Sequence, residues 1–235
     1  MKPETESAVV REVGLRDGLQ SISRVLPTAK KIEWIRDAYA AGQREIEVGS
    51  FVPARLLPQL ADTDQLVEFA KTLPGLCVSV LVPNLKGAER AIECGADLML
   101  LPLSASRAHS LANLRKSPDD VVAEIARIRD LRDAKASKCL IEVGISTAFG
   151  CTLQGKVESA EVLRLLRAVL DAGVDRVGLA ARLHIGIVHH ALGEFRRTLE
   201  LHEAVLSELA AAGRPYELWS SDKRGYRKQP DVRPE

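Results

Sequence analysis

AGQREIEVG (residues 41–49) closes a helix and opens a strand, and two later stretches repeat the device: CGADLMLLP (94–102) and AGVDRVGLA (172–180). In each, a glycine (Gly42, Gly95, Gly173) stands about two residues ahead of an apolar run. Glycine suits the left-handed residue that caps a helix C-terminus, so each copy marks one helix-to-strand return. Working outward, β-rich runs at 8–14, 44–51, 76–83, 97–104, 139–146 and 175–180 alternate with amphipathic patterns such as 28–42, 118–134 and 159–173. That alternation predicts an α/β protein with a parallel sheet. The run LCVSVLV (76–82) is almost continuously apolar, as in a strand covered on both faces. A doubly wound open sheet is the alternative, but no GxGxxG follows the first strand. The expectation is a (β/α)8 TIM-barrel type, incomplete at about six βα units and followed by a helical C-terminal segment.

Composition narrows the function classes. The 235 residues are 46% hydrophobic and 28% charged, the make-up of a soluble globular chain able to bury a large core. Lys and Arg number 33 against 32 acids, so no broad basic field recruits nucleic acid or an anionic membrane. No apolar run approaches the roughly 18 residues of a membrane span. The first ten residues resemble neither a secretory signal nor a transit peptide. Cys77, Cys94, Cys139 and Cys151 contain no CxxC pair and read as reduced cysteines of a cytoplasmic protein.

In a barrel of this type the active site lies at the C-terminal ends of the strands. The residues just past each predicted strand are therefore the candidates: Arg16 and Asp17; Glu47, Ser50 and Phe51; Pro83, Asn84 and Lys86; Ser104; Ser146, Thr147 and Cys151. Asp17 offers an oxygen ligand to a hard divalent cation, and Arg16 a permanently charged donor fork for an oxyanion. Equally, RDG reads as a turn with a surface ion pair, in which Gly18 lets the chain bend. Glu47, within an apolar strand, needs a cation such as Arg16, whether its role is structural or catalytic. Asn84 is either a ligand contact or a helix N-cap. Cys151, in the Gly-punctuated loop FGCTLQGK (149–156), is either a ligand contact or a buried structural thiol.

Five segments in this order, EVGLRDGLQ, IEVGSFVP, LPQLADTDQL, VLVPNLKGAERAIECGAD and STAFGCTLQGKV, resemble the hydroxymethylglutaryl-CoA lyase family over residues 8–180. The resemblance implies a TIM barrel that uses magnesium or manganese to cleave 3-hydroxy-3-methylglutaryl-CoA into acetyl-CoA and acetoacetate, a step of leucine degradation. It implies that Asp17 is a metal ligand and that Arg16 and Glu47 are catalytic. Gln20, Ser50, Arg55, Asn84, Lys86 and Cys151 would contact an acyl-CoA substrate, in a homo-oligomer with no nucleic-acid or membrane partner.

After DRVGLA the resemblance stops. The family pattern continues with Asp-Thr-Xaa-Gly, a metal-binding His-Xaa-His pair, a Gly-rich loop with a catalytic cysteine, and a late Asn; this chain has none of them. His189 and His190 are adjacent, which aims them apart on a strand or a helix. Another departure is Thr152, where such lyases carry Pro. The expected organisation is a lyase-like domain over 1–180, a divergent segment with a long helix at 191–212, and a disordered tail at 213–235. The expected origin of that break is a shifted reading frame or a gene truncation beyond residue 180. Two alternatives to the lyase remain: another acyl-CoA aldolase or acyltransferase of the superfamily, and a non-catalytic truncated barrel acting as an oligomeric or binding module.

Overall fold

The computed structural model describes residues 10–181, residues 216–220 and the isolated positions Ala204, Ser207 and Ala211. In chain order the elements are β1 (Arg11–Glu12), α1 (Thr28–Ala40), β2 (Glu45–Ser50), α2 (Thr63–Ala70), β3 (Cys77–Leu81), α3 (Leu85–Glu93), β4 (Leu98–Ser104), α4 (Arg107–Leu114), α5 (Pro118–Ala134), β5 (Leu140–Ser146), α6 (Ser159–Asp171), β6 (Arg176–Ala181) and β7 (Tyr216–Ser220). The seven strands form one sheet in sequential order, and every pairing is parallel. A doubly wound sheet reverses its order at a switch point. An unbroken sequential order is that of a barrel, here a partial TIM barrel curled with its helices outside.

The three glycines of the repeat behave as their spacing predicts. Gly42, Gly95 and Gly173 have φ of 98°, 77° and 81°, the left-handed region that ends α1, α3 and α6. Helix α5 begins with a capping box, in which the Ser117 hydroxyl accepts from the Asp120 N–H and the Asp120 carboxylate accepts from the Ser117 N–H.

Alternation along the strands sorts the side chains into two sets. Val78 and Val80 of β3, Met99, Leu101 and Leu103 of β4, and Ile141, Val143 and Ile145 of β5 pack with Leu66, Val67, Ile125, Leu165 and Leu166 of the helices in the main core. The other register faces the lumen and carries charge. Arg11 on β1 pairs with the neighbouring Glu45 and reaches Glu142 on β5 with bonds of 2.9 and 2.6 Å. β1 and β5 are four strands apart in the sheet, so this contact measures how far the sheet has curled.

Two expectations need correction. Strand β1 is only two residues long because the chain from Gly14 to Gly18 winds into one π-helical turn. The disordered tail read at 213–235 contains strand β7, whose Tyr216–Ser220 pair in register with Val177–Ala181 of β6. The segment YELWS combines β-prone aromatic and apolar residues, and the edge of β6 supplies unpaired backbone groups to receive it. Of the helix read at 191–212, only Ala204, Ser207 and Ala211 are described, and all three are helical.

Candidate active site

The turn Gly14–Gly18 places Arg16 over the C-terminal end of β2. Arg16 donates from Nε to Glu47 Oε1 at 2.6 Å and from Nη2 to Glu47 Oε2 at 3.0 Å, while Nη1 donates to Asp17 Oδ1 at 2.9 Å. A two-point grip by a carboxylate fixes the plane of a guanidinium as well as its position. Glu47 is fully buried, and burial raises its pKa against the opposing pull of Arg16 and Arg11. Asp17, by contrast, has 65% of its side chain exposed. Gly18 does not serve as the bend: its φ is not positive, and the turn is helical. Gly14 is the constrained position, because a Cβ there would lie 2.6 Å from both the Glu12 carboxylate and the Trp34 ring.

A bulge in β2 prepares the rest of the wall. Glu47 pairs with Ser79, but Gly49 pairs with Val80, so the register slips at Val48. The slip puts Ser50 opposite Leu81 on the lumen register and turns Gly49 toward α2, where a Cβ would come within 2.3 Å of Thr63 Oγ1. Thr63 holds this corner by accepting from the Ser50 N–H at 3.1 Å and donating to the Leu60 carbonyl at 2.7 Å.

At the ends of β4 and β5 lies a hydroxyl cluster. Ser104 Oγ is 2.7 Å from His109 Nδ1 and 3.0 Å from Ser146 Oγ. Behind it the Ser106 N–H donates to Thr147 Oγ1 at 2.9 Å, and the Ser106 hydroxyl donates to Gln154 Oε1 at 3.0 Å. Cys151 closes the following loop through paired backbone bonds with Gly155. Burial opposes ionisation of its thiol, yet hydrogen bonds from Ser106 and from the Gln154, Leu153 and His109 backbones hold its pKa below the usual thiol range.

The other expected contacts fare unevenly. Asn84 caps α3, its side chain accepting from the Gly87 N–H at 3.0 Å, which is the structural role among its two readings. Gln20, Arg55 and Lys86 are exposed, each on a surface segment. Phe51 belongs to the core, with the Arg90 guanidinium 4.8 Å above its ring. His189 and His190 lie outside the described residues. Among the described residues no three His, Cys, Asp or Glu side chains converge as a metal cage. Asp17 is the one implied ligand among them, and a magnesium or manganese ion takes about six oxygen ligands. The described donor set by itself does not fit such an ion.

A partial parallel barrel with an Arg–Glu pair at its mouth is where similarity to known proteins becomes informative. The family model described as HMGL-like matches residues 9–207. The chain belongs to the HMGL-like family. A curated relative, the 3-hydroxy-3-isohexenylglutaryl-CoA/hydroxymethylglutaryl-CoA lyase of Pseudomonas aeruginosa, is 33% identical over 84% of this chain and 63% of its own length. The mitochondrial hydroxymethylglutaryl-CoA lyase of Arabidopsis thaliana is 32% identical over 74% of this chain and 37% of its own. The crystal structure of hydroxymethylglutaryl-CoA lyase from P. aeruginosa superposes with a TM-score of 0.75 at 33% identity, covering 86% of this chain and 65% of that one. An Acinetobacter baumannii HMG-CoA lyase solved with coenzyme A and 3-methylmalate gives 0.70 at 31% identity, covering 90% and 74%. This HMGL-like chain thus spans between 37% and 63% of the first curated relatives it matches.

Three residues of the mouth escaped the sequence reading. His109 follows Ser104 by five residues, inside SASRAHS, where a histidine in a first helical turn carries no motif. Gln154 belonged to the FGCTLQGK loop without being singled out. Ser79 lies beside Glu47 in the register, and its fully buried hydroxyl has no hydrogen-bond partner. A serine within an apolar strand was the available signal.

Proposed function

We propose that this chain cleaves a carbon–carbon bond in a coenzyme A thioester of the 3-hydroxy-3-methylglutaryl type, releasing acetyl-CoA and acetoacetate. The observation that carries the proposal is the Arg16 guanidinium gripped by both oxygens of a fully buried Glu47 at the catalytic end of the barrel. In such a cleavage the tertiary hydroxyl passes its proton to water, its oxygen becomes the ketone of acetoacetate as the bond between C2 and C3 breaks, and the electron pair of that bond passes into the thioester as an enolate, which later takes a proton back from water. A fixed cation aimed at the enolate oxygen stabilises the charge as it develops. Arg16 takes that role, Glu47 positions it, and Asp17 lies beside it at the solvent edge. Protonation of the enolate then gives acetyl-CoA.

The HMG-CoA lyase names of relatives at 30–33% identity support the substrate class. The coenzyme A bound in the A. baumannii structure supports an acyl-CoA ligand. A second reading is a non-catalytic acyl-CoA-binding module, favoured by Asp17 being the one implied metal ligand among the described residues. We further read the chain as a cytoplasmic homo-oligomer; light scattering on the purified protein tests the assembly, and a monomeric mass contradicts it. Acetyl-CoA release from 3-hydroxy-3-methylglutaryl-CoA, with and without added magnesium or manganese, separates the two main readings. Release that Arg16→Gln lowers at least ~100-fold supports the lyase. Thioester binding without release from a folded sample supports the module.

A further inference from the structure

The hydroxyl cluster opposite Arg16 is not used by the cleavage described above. Its position follows from the register. Ser104 ends the alternate set Leu98, Leu100, Pro102 of β4, and Ser146 ends the set Leu140, Glu142, Gly144 of β5; neither set belongs to the helix-facing core. Both serines therefore stand in the uppermost lumen layer, as their 3.0 Å contact requires. The ion pair between Arg11 and Glu142 shows that β1 and β5 face each other across the lumen. Four residues above Glu142 is Ser146, about 13 Å up β5, and Glu47, which holds Arg16, is two residues or about 7 Å above Glu45, the β2 partner of Arg11. The Arg16–Glu47 pair and the Ser104–His109–Ser146 cluster thus occupy facing sides of one mouth.

The cluster is held in place. Ser106 caps α4 by accepting from the His109 N–H at 3.1 Å, and is itself tied to Thr147 and Gln154. Thr147 has a φ of 59°, a conformation that β-branched residues avoid, with its hydroxyl donating to the Ser146 carbonyl at 2.6 Å. With Nδ1 protonated, His109 donates to Ser104, Ser104 donates to Ser146, and the half-buried Ser146 hydroxyl is left to donate outward in place of its 3.2 Å bond to the Leu103 carbonyl. A chain of donors ending in the lumen suits an acceptor-only anionic group, and a carboxylate makes the stronger, charge-assisted bond.

The geometry points to Ser104, Ser146 and His109 as a subsite for the free carboxylate of the acyl group, a specificity determinant facing the thioester end held by Arg16. This inference rests on the acyl-CoA reading of the mouth. The subsite selects thioesters of dicarboxylic acids over those of monocarboxylic acids with the same chain length.

Equilibrium binding of glutaryl-CoA and pentanoyl-CoA to the purified chain tests it, because the two differ only in the terminal carboxylate. The wild type is expected to prefer glutaryl-CoA by about tenfold. Ser146→Ala and His109→Phe are expected to bring the ratio close to one while pentanoyl-CoA affinity changes less than about twofold. His109→Asn, whose amide nitrogen takes the place of Nδ1, retains the preference. A ratio near one in the wild type, a ratio unchanged in both Ser146→Ala and His109→Phe, or no binding of either thioester by folded protein overturns the subsite. Turnover of 3-hydroxy-3-methylglutaryl-CoA reports separately on the lyase. Selective binding without turnover keeps the subsite and removes the lyase, whereas Arg16-dependent turnover with unselective binding does the reverse.

Discussion

At the scale of single residues, burial decides which charges and thiols are committed. Glu47 titrates from a fully buried position, where burial outweighs Arg16 and raises its pKa. The folded chain therefore holds this proton more readily than the unfolded one. The resulting stabilisation is fully present below the unfolded carboxylate pKa of about 4.3 and is lost as pH rises through the folded value. Glu47→Gln is expected to flatten that part of the pH–stability curve, read as urea midpoints from acid to neutral pH; an unchanged slope would show that Glu47 does not titrate as described. The thiols divide in the same way. Burial pushes Cys77 up to about 11 and Cys139 to about 12, and burial with a hydrogen bond to Asp64 pushes Cys94 to about 12, while donors around Cys151 hold its thiol low. Iodoacetamide at pH 8 should label Cys151 first, as followed by peptide mass spectrometry; earlier labelling of the half-buried Cys77 or Cys94 would mean that access outweighs ionisation. Arg16, Asp17 and Glu47 were legible in the sequence because a strand-end cation and an in-strand acid each demand a partner. His109 was not, because its meaning depends on a hydroxyl that only the β4–α4 connection brings to it.

Helices and strands were the most readable level, and the reason is periodicity. The 118–134 pattern matches α5 residue for residue, and the glycine spacing located the ends of α1, α3 and α6. The bulge in β2 left no such mark, since one extra residue is invisible in a six-residue run that is buried throughout. Gly49 is its clearest trace. Gly49→Ala would drive a Cβ against Thr63 Oγ1 and disturb the corner that sets Ser50, at an expected cost of about 1–3 kcal/mol for overpacking. Thermal or urea unfolding checks this, and a loss below about 0.5 kcal/mol would show that α2 moves aside freely. Strand β7 was missed for a different reason: a five-residue segment with only Tyr216, Leu218 and Trp219 as apolar or aromatic residues, set among polar ones, resembles a tail until the edge of β6 is there to pair with it.

The curl that gathers the strands at one mouth is a property of the whole molecule, and it is secured inside the lumen. Arg11 joins β1 to β2 through Glu45 and to β5 through Glu142, with Arg176 of β6 lying 3.7 Å from Glu45. Replacing Arg11 with Met would leave buried carboxylates short of their cation and is expected to cost about 3–5 kcal/mol. A denaturant midpoint close to wild type would show that the helices alone maintain the curl. All these elements converge on one chemical claim, that a buried glutamate holds Arg16 where an enolate oxygen forms. The most direct measurement is deuterium uptake into the methyl group of acetyl-CoA in D2O, since that exchange passes through the same enolate without requiring the complete cleavage. Uptake faster than in buffer, abolished by Arg16→Gln, is the predicted result; uptake equal in the two proteins, or none from folded wild type, would contradict it.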